Sequence, residues 1–229
     1  MAQATFFFYV SNMKNGLFIT LEGIDFSGKT TQARYIINLF KKNKIEYLFL
    51  REPGGTRLSE RIRRILLSKG EIDICPKSEL WLYLAARSQI VQDMIIPALK
   101  LGKIVLCDRF YDSTYAYQAF GRGLDRDFIN RANLFAADNL VPDLTLLYDL
   151  TAALAAKRKQ KLSRAKDRLE NEKLAFFRRV RKGYLDLAEN QPGRFKVIEA
   201  SQTIEEIRRE TTELLIEFLF KHKIRIKSL

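Results

Sequence analysis

Two kinds of apolar pattern alternate along this chain. Short, nearly continuous apolar runs occur at Leu17-Phe18-Ile19-Thr20-Leu21-Glu22, Tyr47-Leu48-Phe49-Leu50, Lys103-Ile104-Val105-Leu106-Cys107, Leu144 to Leu150 and Phe195-Lys196-Val197-Ile198. These predict five strands. Between them, apolar residues recur every three or four positions, the spacing of a half-buried helix. Helices are expected over 29–42, through Ile62, Ile65 and Leu66, and over 78–101, with Pro97 as a kink and Gly102 as the stop. Two further helical stretches are expected within 114–137 and a helix-rich stretch over 151–190. A last helix over 203–220 should be capped by Ser201 or Thr203. The chain from Lys221 onward is expected to fray.

Strands separated by helices pair in parallel through right-handed crossovers. The expected fold is therefore α/β, a five-stranded parallel sheet with helices on both faces. Ligands in such sheets bind beyond the carboxyl ends of the strands. With no repeat or linker, residues 17–221 read as one domain, between an extension at 1–16 and a basic tail at 222–229. The apolar run Phe6 to Val10 is too short to span a bilayer and follows no basic stretch. A cytoplasmic protein is the expectation, and the two cysteines, Cys75 and Cys107, form no CxxC pair.

The 229 residues carry 40 Lys/Arg against 27 Asp/Glu, a formal charge of +13, which favours anionic partners. The excess is uneven: Lys157 to Lys182 holds twelve basic and three acidic residues. Such a stretch reads as a solvated helical face, with a few cations clamping phosphates.

Gly23-Ile24-Asp25-Phe26-Ser27-Gly28-Lys29-Thr30 matches G-x-x-x-x-G-K-[ST], placed between a strand and a helix. The glycines let backbone N–H groups turn toward phosphate oxygens, and the next helix, with Thr31 in its first turn, aims its N-terminus at the same anion. Lys29 would reach the β- and γ-phosphates and the Thr30 hydroxyl would ligate Mg²⁺. By itself this loop binds a nucleoside triphosphate and does not choose among kinase, ATPase and GTPase. No NKxD element is present to favour guanine.

Further segments carry a resemblance. Phe18 to Gln32, Arg51-Glu52-Pro53-Gly54-Gly55-Thr56, Ala85-Ala86-Arg87, Asp108-Arg109-Phe110 with Ser113-Thr114 and Ala116-Tyr117-Gln118, and Asp167-Arg168-Leu169-Glu170 occur in an order that resembles bacterial thymidylate kinases from about residue 17 to 220. The resemblance implies a P-loop kinase fold with a short lid over about 160–167, a homodimer, and transfer of the γ-phosphoryl of Mg-ATP to dTMP. It implies no specific nucleic acid and no membrane as partner.

It also implies roles. Arg51 and Arg109 would hold the acceptor phosphate, with Glu52 beside them. Tyr83 would stack on thymine, where the family more often has Phe, and Arg87 would bond a carbonyl of the base. Thr114 and Gln118 would meet the base and sugar edge, and Tyr117 would wall off the 2′ carbon. Asp25 would work between the acceptor's 3′-OH and the metal's water shell, and Asp108 would organise Mg²⁺ through water or orient Arg109. Phe26 stands where some relatives carry a catalytic arginine, so the cation is expected from the lid, among Lys161, Arg164, Lys166 and Arg168, with Arg164 and Arg168 preferred. The acceptor phosphate is largely dianionic at neutral pH, so no strong base is needed. Two rivals stay open on sequence alone: another small-molecule kinase on the same fold, and a P-loop ATPase that binds nucleic acid through its basic stretch.

Overall fold

The computed structural model describes residues 15–68, 73–161 and 167–226. Residues 1–14 of the expected extension, and Arg164 and Lys166 of the expected lid, lie outside the described residues. Five strands form one parallel sheet: β1 Phe18–Glu22, β2 Tyr47–Arg51, β3 Ile104–Asp108, β4 Leu144–Asp149 and β5 Phe195–Glu199, in the order β2-β3-β1-β4-β5. β1 lies at the centre. The chain runs outward from it to β2 and β3 on one side and to β4 and β5 on the other. The crevice where the direction reverses opens at the carboxyl end of β1, the position where such sheets bind ligands.

Alternate strand residues face two different cores. Ile19 and Leu21 of β1 and Ile104 and Leu106 of β3 pack with helices α1 (Lys29–Lys42), α8 (Leu174–Asn190) and α9 (Ile204–Lys221). Phe18, Val105 and Cys107 pack with Ile90, Ile95 and Leu99. This period-2 division puts helices on both faces. Thr20 and Thr145 interrupt the apolar strands side by side. Their hydroxyls bond each other at 2.9 Å, and Arg194 donates to Thr145 at 2.6 Å, which satisfies these buried polar groups.

The remaining helices are α2 (Arg57–Leu67), α3 (Pro76–Ile90), α4 (Ile96–Lys100), α5 (Tyr111–Thr114), α6 (Arg126–Ala136) and α7 (Ala152–Gln160). The expected helix over 78–101 begins earlier, with Pro76 in its first turn, and its disturbance precedes Pro97: Val91–Ile95 is a π-helical turn between α3 and α4. Pro97 has no N–H for the Asp93 carbonyl and its ring crowds it, so the widened turn lies just before the proline. A second π-helical segment, Tyr115–Gly121, follows α5 and carries Tyr117 and Gln118. Thr203, not Ser201, caps α9, in a capping box with Glu206, while Ser201 bonds Glu199.

Of the expected extension and tail, residues 15–16 and 222–226 are described. Gly16 N–H donates to the Leu99 carbonyl at 2.9 Å. Beyond Lys221 the chain does not fray at once. Ile224 N–H returns to the Leu219 carbonyl, and Ile224 and Ile226 pack against the core. No helix among the described residues is long and apolar enough to cross a membrane.

Candidate active site

The loop after β1 needs conformations that few residues adopt. Gly23 and Gly28 have φ of 139° and 95°, and a Cβ on Gly23 would lie 2.5 Å from the Tyr148 carbonyl oxygen. Gly28 caps α1, whose first turn has no side-chain cap and no acidic residue, so its N-terminus keeps its positive field. Lys29 folds back beneath the loop and donates to the Gly23 and Ile24 carbonyls at 2.9 Å each. Burial and the nearby Arg109 push its ammonium down to about 8, against the pull of Asp108, Asp25 and Glu22.

Thr30 Oγ1 donates to Asp108 Oδ2 at 3.4 Å, which joins the start of α1 to the end of β3. Two hard oxygen donors side by side, next to a phosphate-binding loop, suit Mg²⁺, which takes one or two protein oxygens and completes its shell with phosphate and water. No cluster of three or more acidic, His or Cys ligands exists among the described residues.

Arg109 is the hub. Its backbone is left-handed (φ 72°), which aims its side chain back across β1. Nη1 donates to Gly23 O (2.9 Å), Tyr184 OH (3.1 Å) and Ser113 Oγ (3.2 Å); Nη2 donates to Asp25 Oδ1 (2.6 Å) and Tyr117 OH (3.2 Å). Tyr117 OH in turn donates to Asp25 Oδ2 at 2.9 Å. Burial alone would raise the Asp25 carboxyl, but Arg109 and Lys29 outweigh it and hold it below the ordinary range. Glu22, absent from the sequence expectations, supports this hub from beneath. It accepts from Phe110 N–H (2.7 Å), Ser113 Oγ (2.7 Å) and Tyr184 OH (2.9 Å). Burial, then Asp112, raises its carboxyl to about 7. A carboxylate that closes an apolar strand is the signal that could have found it.

Asp25, Tyr83, Arg87, Arg109, Thr114, Tyr117 and Gln118 line one cleft. Tyr83 and Arg87 thus share a wall with the phosphate loop. Arg87 is held rigidly: Nε and Nη2 donate to Glu52 Oε2 at 2.9 and 2.8 Å, and Nη1 to Asn133 Oδ1 at 2.9 Å. Three of its five N–H groups are thereby used, leaving two. Two buried oxygens in this cleft, Glu52 Oε1 and Thr114 Oγ1, have no hydrogen-bond partner. Unpaired buried groups are costly, so they mark a surface built to meet a polar ligand.

A larger cleft continues from the first past Asp25, Glu52, Arg63, Arg109 and Asp167, and runs along the phosphate loop to Arg158, Gln202 and Thr203. Arg51 lies exposed on its rim, 3.6 Å from Glu60. Sequence reasoning missed Arg63, which lines both clefts and donates to Pro53 O, and Arg158, which donates to Phe26 O and Ala200 O. Both sit on helices where an arginine gives no local sign of its target.

Arg168 is not beside the phosphate loop's bonds. It donates to the buried carboxylate Glu79 at 2.5 Å and to the Leu66 carbonyl at 2.9 Å. Arg164 lies outside the described residues. Much of the basic stretch is likewise engaged within the fold: Arg179 donates to Gly121 O, and Arg181 forms a two-bond pair with Asp149.

The family model "Thymidylate kinase" matches residues 21–211. A curated relative from Kosmotoga olearia, a thymidylate kinase, is 45% identical over 203 residues, 89% of this chain and 95% of the relative. One from Clostridium novyi with the same name is 43% identical over 204 residues, 89% of this chain and all of the relative. A crystal structure of thymidylate kinase from Ehrlichia chaffeensis superposes with a TM-score of 0.68 at 34% identity, covering 87% of this chain and 98% of that one.

Proposed function

Since the chain belongs to the thymidylate kinase family and is a phosphotransferase acting on dTMP, we propose that it moves the γ-phosphoryl of ATP to dTMP across the junction of the two clefts. The observation that carries this reading is the shared wall. Asp25 and Arg109 border both the cleft lined by Tyr83 and Arg87 and the one along the phosphate loop.

In this reading the chain's own groups solve one problem, the repulsion between two polyanions. Lys29, the loop amides and the α1 N-terminus hold the donor phosphates. Arg109 and Arg51 hold the acceptor phosphate, and a guanidinium fork fixes its direction as well as its charge. Asp25 holds Arg109 in line and, with the Tyr117 hydroxyl, faces the sugar. Tyr83 stacks on the base, the free N–H groups of Arg87 meet a base carbonyl, and Thr114 and Gln118 meet its edge. Thr30 and Asp108 would hold Mg²⁺, which when bound neutralises charge on the transferring phosphoryl group. A cation from the lid, Arg164 in this reading, would complete the site. Arg168 would instead brace the acceptor wall through Glu79.

The reading includes a homodimer, supported by an exposed aromatic patch. Trp81 meets Phe128 edge-on at 5.9 Å, and Phe135 lies two helical turns further along α6, 87% exposed. A cytoplasmic location is supported by the free cysteines, Cys75 and Cys107.

The test is ATP consumption with dTMP, dUMP, UMP, dCMP, AMP and thymidine as acceptors. Selective turnover with dTMP is expected. Equal turnover with AMP, or hydrolysis without transfer, would contradict the reading.

A further inference from the structure

Glu79 sits on α3 with no exposed surface, one turn before Tyr83, at the back of the nucleoside cleft. Four donors converge on it. Arg122 spans both oxygens, Nε to Oε1 and Nη2 to Oε2, at 3.1 Å each. Arg168 Nη2 reaches Oε2 at 2.5 Å. The fourth is Gln118, whose Nε2 donates to Oε1 at 2.8 Å. The arginines are anchored in turn, Arg168 to the Leu66 carbonyl and Arg122 to Glu172.

This arrangement has a chemical consequence for Gln118, which lines the cleft and is 1% exposed. A side-chain amide has one donor end and one acceptor end. An ionised carboxylate only accepts, so it can face only the donor end. Turning the amide over would set two acceptors against each other without a proton between them, a costly arrangement when buried. Burial opposes ionisation of Glu79, but Arg122, Gln118 and Arg168 outweigh it and hold the carboxyl below its ordinary value. Nε2 keeps a second N–H, so what the bond to Glu79 fixes is the amide's direction: the nitrogen lies on the Glu79 side and Oε1 on the opposite side, where it can accept from a ligand.

We propose that Glu79 is a positioning residue for base selection: by fixing Gln118 with its oxygen toward the cleft, it makes the site choose a base whose ring edge donates. This rests on the reading that the cleft takes the acceptor nucleotide. Thymine and uracil carry a donor at N3, whereas cytosine has an acceptor there. The free N–H groups of Arg87 complement this choice, since they match a carbonyl at position 4 and clash with an amino group. The same carboxylate holds Arg168, so the segment after the lid and the base-reading amide share one anchor.

The experiment measures kcat and KM for dTMP and dCMP with the wild type, Glu79→Gln, Gln118→Leu and the double variant. Glu79→Gln is expected to lower the dTMP-over-dCMP ratio of kcat/KM by roughly tenfold or more, mainly through KM for dTMP. In the Gln118→Leu background the same change should leave the ratio within about twofold, because the residue acts through the amide. An unchanged ratio in Glu79→Gln, or the same drop in both backgrounds, overturns the proposal. Failure of the underlying reading shows separately, as a wild type that does not turn over dTMP, and the proposal falls with it. Glu79→Gln leaves two arginines without their carboxylate and can fail to fold. In that case the wild-type Gln118 side-chain amide, assigned by its loss in Gln118→Leu, decides by NMR. A downfield, slowly exchanging Nε2 proton that stays protected on adding dTMP supports the proposal, and a freely exchanging one overturns it.

Discussion

The Arg109 guanidinium lies 2.6 Å from the Asp25 carboxylate, and Tyr117 closes the triangle by donating to the other carboxylate oxygen. A residue after β3 is thereby tied to one inside the loop after β1, at the border of both clefts. Replacing Asp25 by Asn keeps the shape and removes the charge that orients Arg109. The expected result is a fall in kcat of about a hundredfold or more, since a misplaced charge-stabilising group costs rate. Steady-state kinetics check it, with the melting temperature confirming that the variant is folded.

Lys29 offers two readings of one charge. Lys29→Ala should lower kcat by about two orders of magnitude, because it removes charge stabilisation at the transferring group. Its ammonium lies at about 8 in the free protein, and an anionic ligand must raise it. ATP binding should therefore take up a proton near pH 8 to 9. Calorimetry in buffers of different ionisation enthalpy checks this, and the uptake should vanish in Lys29→Ala.

Tyr117 has a ring and a hydroxyl with separable tasks. Tyr117→Phe loses the bonds to Asp25 and Arg109 but keeps the wall. It should lower kcat by roughly tenfold, the worth of a charged-partner hydrogen bond, while preserving the preference for dTMP over UMP. Tyr117→Ala should erode that preference. Acceptor competition with the two nucleotides distinguishes the variants.

The Thr114 hydroxyl is buried without a partner, so its removal costs the free protein little. Thr114→Val should leave the melting temperature unchanged or slightly raised, yet raise KM for dTMP by roughly tenfold. Loss of stability without a change in KM would contradict the assigned contact.

Glu22 gives the fold a pH signature. Its carboxyl rises from the ordinary 4.5 to about 7 in the folded state, so the folded protein binds the extra proton between those values. The associated stability is complete below pH 4.5 and is lost as pH rises through 7, by roughly 3 kcal/mol at most. Denaturant melts across this range should show the decline, and Glu22→Gln should flatten it.

All five strands are legible in the chain because buried parallel strands are written as compact apolar runs. The phosphate loop is legible because its glycines, lysine and threonine must be consecutive. The two π-helical turns are not, since an i→i+5 bond leaves no local spacing signal, and even Pro97 marks a disturbance without saying which side it falls on. Glu79, and the partners of Glu22, stay hidden for a different reason. A buried carboxylate takes its meaning from partners far along the chain, such as Arg122 and Arg168 for one and Tyr184 for the other. Arg168 shows the same limit: its place in a recognisable motif says that it matters, not that it bonds Glu79.

In the proposed function two nucleotides meet end to end in one continuous cleft across Asp25 and Arg109. A thymidine joined to adenosine through five phosphates spans both halves at once. Calorimetry should give one site per chain, at least about a hundredfold tighter than dTMP, with binding displaced by either dTMP or ATP. An affinity no better than that of dTMP, or displacement by only one of the two nucleotides, would contradict it.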